Sequence, residues 1–290
     1  MTELTPIDRL TLGFLSALAL LTAVRHPTPL PLLGAFATLG AGILVAARWG
    51  TVARAARILH DFFPVVSVIA IFTFIGPVIA VTNPRRGDPT LATLDPRIFG
   101  QLPTLWFGAL GRPRWLTDVA SIVYASYYFV PVVLAVALYV EGRQARFERF
   151  VFTAVATFFA SYACYFLLPT SGPRVPQELE TTVLGGGAVS AAVRDALRHL
   201  EGNQLDAFPS GHVALALVFL AYGWRDFPRW RFPLVLVTGG IVFSTVYLSY
   251  HYVLDLVAGA LLAGVVPLVV PMLRRAVRCP AAVGDDDIII

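Results

Sequence analysis

Two short segments of the sequence combine the residue types that phosphoryl chemistry needs. The first, 207–212, places a Pro-Ser-Gly turn and a histidine in front of an apolar run that predicts a helix over 213–224. Ser210 is of a type that caps a helix, so the amides of Gly211 and His212 would be among the first without an intrahelical partner. Because such amides attract anions, this segment predicts a phosphate-binding helix start. Capping alone and contact with phosphate are two interpretations of Ser210 that remain open.

The second segment, 250–255, places a carboxylate four residues after a histidine. On a helix this spacing is about one turn, so Asp255 can bind one imidazole nitrogen of His251 and fix its tautomer. A single histidine in an apolar helix often only satisfies a local hydrogen bond. Three ionisable groups on one face of a bundle are costly in apolar surroundings, and that cost favours a catalytic role for His212, His251 and Asp255.

The composition is that of a membrane protein with several helical spans. Of the 290 residues 57% are hydrophobic and 14% are charged, with a mean hydropathy of +0.72. All 22 basic residues are arginines, and the net charge is only +4. This pattern is typical of membrane-flanking charge and not of a nucleic-acid-binding surface. No carboxylate cluster indicates a metal, so we expect neither a metal nor a cofactor.

Apolar runs of about span length predict an all-α polytopic bundle with about eight spans, the last six forming a catalytic core. They lie at roughly 10–25, 29–47, 62–82, 119–140, 150–168, 211–226, 232–250 and 252–273. The first and sixth are short, which leaves their membrane depth open. The short connections on the side of both termini carry nine arginines, whereas those on the other side carry only Arg25, so the positive-inside rule predicts cytoplasmic termini. His212, His251 and Asp255 then fall on the exoplasmic face of the inner (plasma) membrane of a bacterium.

The same pattern divides the chain into four parts. They are N-terminal spans over 1–82, an interfacial exoplasmic loop over 83–118, a catalytic core over 119–273 and a cytoplasmic tail over 274–290. Within the core, three glycines precede an amphipathic helix over 189–200. This helix is interpreted either as a lid over the site or as a helix resting on the bilayer surface.

Several motifs together resemble the PAP2 superfamily of type 2 phosphatidic acid phosphatases. Within it they are similar to the branch of the inositol phosphorylceramide synthases and sphingomyelin synthases. The motifs are Leu168-Pro-Thr-Ser-Gly-Pro-Arg174, Phe208-Pro-Ser-Gly-His212 and the stretch from Ser244 through His251 to Asp255, with weaker matches at 95–100 and 124–131. The resemblance covers about 90–272. The spacing of the two histidine motifs is specific, whereas either motif alone is weak.

The resemblance implies a metal-independent mechanism through a phosphohistidine. His251 would attack phosphorus with Asp255 behind it, and His212 would protonate the leaving oxygen and then deprotonate the acceptor. The phosphoryl oxygens would be held by Arg174, Ser210, Gly211 and Ser244.

Two departures from the family pattern bear on the substrate. The first motif has no lysine, and Thr245 follows Ser244 where the family usually has arginine. Fewer cations suit the single charge of a phosphodiester better than a monoester, although Arg194 or Arg198 would also be able to fold into the site. We therefore expect transfer of a phospho-head group from a membrane phospholipid to a lipid alcohol acceptor. Hydrolysis of a lipid phosphomonoester or pyrophosphate is the alternative.

Two other classes of protein fit the sequence less well. A serine hydrolase using Ser210 would leave His212 idle and lacks the Gly-x-Ser-x-Gly pattern. A transporter usually breaks its helices near the middle of the bilayer, whereas these motifs lie at helix ends. The head group, the acceptor and the oligomeric state are left open by the sequence.

Overall fold

The computed structural model describes residues 4–109, 111–175, 180–200 and 202–277. Within these ranges the regular elements are thirteen α-helices and a short 3-10 turn at Pro228–Trp230. The helices are α1 (Pro6–Arg25), α2 (Leu30–Gly50), α3 (Arg54–Thr82), α4 (Asp88–Phe99), α5 (Pro103–Ala109), α6 (Arg114–Ser126), α7 (Val130–Val140), α8 (Gln144–Leu167), α9 (Glu180–Leu184), α10 (Ala188–Leu200), α11 (Gly211–Asp226), α12 (Arg231–Tyr247) and α13 (Val253–Val277). The predicted polytopic helical bundle is confirmed.

Among the described residues, up to seven spans meet the length and apolarity expected of a membrane crossing. Six are single elements, namely α1, α2, α3, α8, α12 together with the preceding turn, and α13. A seventh is the pair α6 and α7, bent by 45° at its break. The remaining predicted span, the sixth along the chain at 211–226, corresponds to α11, which has 16 residues. At a rise of about 1.5 Å per residue, α11 is roughly 24 Å long, somewhat less than a hydrocarbon core of about 30 Å. It runs from the end of the bundle that holds His212 to Asp226, which pairs with Arg143 and Arg146 at the beginning of α8.

Helix α8 is the central element of the bundle and contacts α1, α3, α7, α11 and α13. Its buried residues are mostly phenylalanine, tyrosine, alanine and threonine. The two ends of the described chain meet on one side of this bundle, because the Arg9 guanidinium donates to the carbonyl oxygen of Val277 at 2.9 Å. The first turn of α13, which carries Asp255, lies at the opposite end of that 25-residue helix.

The segment 83–118, predicted as an interfacial loop, folds into α4, α5 and the beginning of α6. It is fastened to the residues that follow α8 by hydrogen bonds to the backbone of Gly87 and to the side chain of Asp88. Gly87 donates to the carbonyl oxygen of Pro169 at 2.8 Å, and Asp88 accepts from the amides of Ser171 and Gly172 at 2.9–3.1 Å. The segment is therefore packed protein at the site end of the bundle.

The amphipathic helix predicted over 189–200 is present as α10. Its apolar residues Val193 and Leu197 pack against Ala120 and Tyr124 of α6. The amides of Gly187 and Ser190 donate to Asp118, which anchors the start of the helix to α6. Val193 and Leu197 are thus covered by protein, whereas Val189 at the start of the helix is 44% exposed. The lid and the helix on the bilayer surface both stay predictions. Of the predicted tail over 274–290, residues 274–277 complete α13 and the rest lies outside the described residues.

Candidate active site

The structure brings His212 and His251 together. His212 is the second residue of α11, and His251 lies in the short connection between α12 and α13. Nδ1 of His212 is 3.5 Å from Nε2 of His251, and both side chains are buried. Two imidazoles in contact can pass a proton to a group bound between them, which general acid–base chemistry requires.

The hydrogen bonds of His251 define its tautomer. Its Nδ1 lies 3.0 Å from the carbonyl oxygen of Ala207 and 3.4 Å from a carboxylate oxygen of Asp255. Because a carbonyl oxygen only accepts, Nδ1 must carry the proton. The lone pair of the neutral ring is then on Nε2, the atom that faces His212. This is the arrangement that a nitrogen nucleophile needs.

The connection that carries His251 is not helical, which differs from the predicted helical turn between His251 and Asp255. α13 begins two residues after His251, and the carbonyl oxygen of Thr245 accepts from the amides of both Tyr250 and His251 at 2.9 and 3.1 Å. Asp255 is fixed separately by the amide of Tyr252, which donates to it at 2.8 Å. The contact predicted between His251 and Asp255 is therefore made by a folded connection.

Asp95 of α4 is a positioning residue that the sequence did not single out individually. Its fully buried carboxylate accepts from the amides of Val253 and Leu254, at 2.7 and 3.2 Å. These are the first two amides of α13, so Asp95 caps that helix from a distant part of the chain. Burial also raises the pKa of the neighbouring Tyr252 phenol to about 12, which keeps it protonated at neutral pH. The segment 95–100 had shown only a weak family resemblance.

Ser210 caps α11, in agreement with the first of its two interpretations, the helix cap. Its hydroxyl accepts from the amide of Val213 at 3.3 Å, and its own amide donates to the carbonyl oxygen of Asp255 at 2.9 Å. Gly211 lies tightly against the hydroxyl of Tyr165, 2.9 Å from where a Cβ would stand. The two histidine motifs are thus joined through backbone as well as side chains. Contact of Ser210 and Gly211 with phosphate stays a prediction.

Arg174 is held at the rim of the site by ordered contacts. Its guanidinium donates to Asp206 at 2.9 Å and to the carbonyl oxygen of Ser171 at 2.9 Å, and it lies 5.8 Å from the Tyr250 ring. Gly172 has φ of +81°, and a Cβ there would lie 2.1 Å from the carbonyl oxygen of Tyr250. Only glycine therefore allows the Arg174 loop to approach the His251 connection this closely.

Ser244 is a predicted phosphate-binding residue whose side chain makes no hydrogen bond to the histidine pair. It lies on α12 with a buried hydroxyl that makes no hydrogen bond to any described residue. Within the described part of the chain, no hydrogen bond or ion pair links this side chain to His212, His251 or Asp255. Its contact with phosphate stays a prediction without geometric support.

Three tyrosines surround His212. The rings of Tyr124 and Tyr127 have centroids 4.5 and 4.2 Å from the imidazole, and Tyr128 meets it edge-on at 6.5 Å. Tyr124 also stacks on Tyr250 at 4.6 Å. Such a wall limits the access of water to the imidazole and fixes its plane. The Nε2 atom of His212 has no hydrogen-bond partner among the described residues.

Two cavities of opposite character adjoin this cluster. One, called here the polar cavity, has a volume of about 350 Å³ and is lined by Arg174, Glu180, Arg194, Arg198, Gln204 and Tyr250 among others. The other, called here the apolar groove, consists of two adjoining spaces of about 100 and 110 Å³ that share Val68, Ile69, Tyr127, Tyr128 and Phe158. One end of the apolar groove is lined by His212 itself.

Comparison with known sequences places residues 89–269 under the profile of the PAP2 superfamily, a range that includes every predicted site residue. A PA-phosphatase related-family protein of Dictyostelium discoideum is 26% identical over 117 residues, which are 39% of this chain. The match spans 21% of the length of that relative. No solved structure matches the chain significantly.

Proposed function

This chain belongs to the PAP2 superfamily, and from that premise we propose that it transfers a phospho-head group from a membrane phospholipid to a lipid alcohol. The observation that carries the proposal is the position of the histidine pair. His212 lines one end of the apolar groove, and the Arg174 and Tyr250 that adjoin the pair line the polar cavity. A phospholipid has the same division, with acyl chains on one side of its phosphate and a polar head group on the other.

In the first step Nε2 of His251 attacks phosphorus. A nitrogen–phosphorus bond forms, the bond from phosphorus to the diacylglycerol oxygen breaks, and His212 gives that oxygen a proton. Because Nδ1 of His251 keeps its proton, the ring acquires a positive charge, which the carboxylate of Asp255 at 3.4 Å and the carbonyl oxygen of Ala207 at 3.0 Å compensate. The products of this step are diacylglycerol and a phosphohistidine that still carries the head group.

In the second step a lipid alcohol replaces the departed diacylglycerol. His212, now neutral, takes the hydroxyl proton as the alcohol oxygen attacks phosphorus and the nitrogen–phosphorus bond breaks. The result is a new phosphodiester and a free enzyme in its original protonation state. An alcohol bound in the apolar groove is favoured over water because its orientation next to His212 confers a large effective molarity.

The charge near the histidines favours a phosphodiester. Arg174 is the cation at the rim of the site. Its ion pair with Asp206 reduces the positive electrostatic potential that it produces at the histidines. The usual third-motif cation is replaced by Thr245, whose side chain is buried. A singly charged diester needs less compensation than a monoester that carries up to two charges. The similarity to inositol phosphorylceramide and sphingomyelin synthases belongs to the same proposal.

We place the site on the exoplasmic face of a bacterial inner membrane, with both termini in the cytoplasm. The support is the arginine distribution in the short connections and the contact between Arg9 and Val277 at the end of the bundle opposite the histidines. The acceptor would then reach the site from the outer leaflet.

The test follows the products of purified protein by mass spectrometry. The donors are a phosphodiester phospholipid and phosphatidic acid with the same acyl chains, each with and without a long-chain alcohol. We expect faster consumption of the diester and a new diester when the alcohol is added, with His251→Gln as the inactive control. Fast release of inorganic phosphate from phosphatidic acid, independent of the alcohol, would show a lipid phosphatase instead.

A further inference from the structure

Arg194 is a buried cation on a helix that otherwise turns its charged side chains outward. Its side chain is 5% exposed, although α10 lies at the surface. The Nε atom faces a carboxylate oxygen of Glu180 at 3.3 Å. The Nη1 atom is buried and has no hydrogen-bond partner among the described residues. A buried guanidinium donor without an acceptor is costly, which indicates that something else supplies the acceptor.

The surroundings of Arg194 are rich in arginine. It lines the polar cavity together with Arg174 and Arg198, and Glu180 is the carboxylate in that lining. Outside the lining, Asp206 pairs with Arg174 and Asp195 lies 3.5 Å from Arg198, so nearby carboxylates compensate the charge of the three arginines. The cavity therefore offers the hydrogen-bond donor Nη1 of Arg194, which has no partner among the described residues. The volume of about 350 Å³ lies within the range of small-molecule sites.

Glu180 alone does not account for the position of Arg194. The same carboxylate oxygen already pairs with Arg198 at a shorter distance of 2.9 Å. Arg198 already compensates the charge of Glu180 from the surface of the protein, without the free-energy cost of burying a guanidinium. Burial of Arg194 instead directs a second guanidinium into the polar cavity.

We propose that the polar cavity binds the head group of the phospholipid donor, and that Nη1 of Arg194 donates to an acceptor oxygen of that head group. The proposal rests on the function proposed above and names the class of donor. A head group with hydroxyl, carbonyl or anionic oxygens gains a charge-assisted hydrogen bond. A quaternary ammonium has no acceptor for this donor, which would stay unpaired, so choline lipids bind less well.

The test compares phosphatidylglycerol with phosphatidylcholine of the same acyl chains. We expect the wild type to have at least about a tenfold higher kcat/KM for phosphatidylglycerol, the scale of one charged hydrogen bond. Arg194→Gln should reduce this ratio to near one, mainly through KM, whereas Arg194→Lys should recover part of it. Arg114→Gln, which changes an exposed arginine at the start of α6, is the matched control. The ratio for one preparation does not depend on how much protein is folded.

The outcomes separate the two proposals. A wild-type preference for phosphatidylcholine, or an unchanged ratio in an active Arg194→Gln protein, would overturn the head-group site but not the transferase. If Arg194→Gln does not fold, Arg198→Gln is measured in the same way and the same criteria apply.

A binding measurement covers the case in which the wild type turns over neither lipid. That result counts against the transferase. Binding of the two lipids to the His251→Gln protein, with and without Arg194→Gln, then decides the head-group site. Selective binding of phosphatidylglycerol that Arg194→Gln abolishes supports it, and equal binding of both lipids refutes it.

Discussion

The Nδ1 atom of His251 lies 3.0 Å from the carbonyl oxygen of Ala207, the residue just before the Phe208-Pro-Ser-Gly-His212 motif. The backbone leading into the first histidine motif therefore sets the tautomer of the histidine in the second. This coupling leaves Nε2 of His251 as the basic atom, 3.5 Å from His212. A main-chain oxygen performs part of the orienting role that the sequence assigned to Asp255 alone.

The histidine pair predicts large and non-additive losses of activity. His251→Gln should abolish turnover, and His212→Gln should lower it by about 10²- to 10⁴-fold, the usual contribution of a general acid or base. The double variant should be no worse than His251→Gln, because residues of one catalytic unit fail together. Initial rates for a phosphodiester lipid, with thermal unfolding as a check on the fold, measure this. A dead Ser210→Ala beside an active His212→Gln would favour a serine hydrolase.

Substitution of Asp95 is expected to destabilise the protein and to lower its activity indirectly, through the position of α13. Asp95→Ala leaves the first two amides of α13 without their acceptor. A lost cap of this kind costs about 0.5–2 kcal/mol of the free energy of unfolding. Because α13 carries Asp255, activity should fall with it. Asp95→Asn keeps one acceptor oxygen and should lie between Asp95→Ala and the wild type in both thermal unfolding and turnover.

If Asp95→Ala matches the wild type in both measurements, the capping contact does not position α13.

The apolar groove predicts selective effects on long lipid chains. Ile69 lines both spaces of the groove and is 47% exposed, so Ile69→Trp adds bulk to the groove with little disturbance of the core. The turnover of long-chain lipids should fall by several-fold more than that of short-chain analogues. Val66→Trp on the same helix, at a residue 52% exposed that lines neither space, is the matched control. Equal effects of Ile69→Trp on both chain lengths would place the lipid chains elsewhere.

The proposed orientation predicts which engineered cysteines react from outside the cell. Val189 at the start of α10 and Gln144 at the start of α8 are both exposed but lie in segments assigned to opposite faces. In a background without Cys164 and Cys279, an impermeant thiol reagent should label Val189→Cys and not Gln144→Cys in intact cells. After the cells are opened, both should react. Labelling of Gln144→Cys in intact cells would contradict an exoplasmic site.

The sequence predicted the elements of the site better than the contacts among them. The apolar runs at 211–226 and 252–273, the amphipathic helix over 189–200 and the cap at Ser210 follow from local patterns, and the structure has helices at these places. The contact from Asp95 to Val253 joins residues 158 positions apart, and no local pattern encodes it. The shortness of α11 was visible as a short apolar run, but the ion pairs of its last residue Asp226 with Arg143 and Arg146 depend on the folded bundle.

Arg174 is a second residue that the sequence assigned to the site without predicting its contacts. Its position after Gly172-Pro173 predicted a cation at the site, and the structure holds it beside Tyr250. Its partner Asp206 lies in a different loop, so the partial neutralisation of Arg174 was not predictable. Ser244 was assigned by motif position only, and the described contacts give it no link to the histidines.

Thr245 gives the last prediction, and here the structure reverses the expectation from the sequence. Since the family usually has arginine at this position, Thr245→Arg would be expected to restore a phosphate-binding cation and favour hydrolysis of a monoester. In the structure Thr245 is fully buried, and its hydroxyl donates to the carbonyl oxygen of Val242 at 2.7 Å. Its own carbonyl oxygen accepts from the amides of Tyr250 and His251. An arginine would have to displace this packed connection.

We therefore expect Thr245→Arg to destabilise the protein and to lower the turnover of diester and monoester lipids alike. Overpacking costs about 1–3 kcal/mol, and a buried unpaired charge adds several more. Thr245→Ser, which keeps the hydroxyl and removes one methyl group, should stay near the wild type and is the control. Thermal unfolding in detergent and parallel assays with phosphatidic acid and a phosphodiester lipid measure both effects. A folded Thr245→Arg protein that hydrolyses phosphatidic acid faster than the wild type would show that the connection can rearrange to admit the cation.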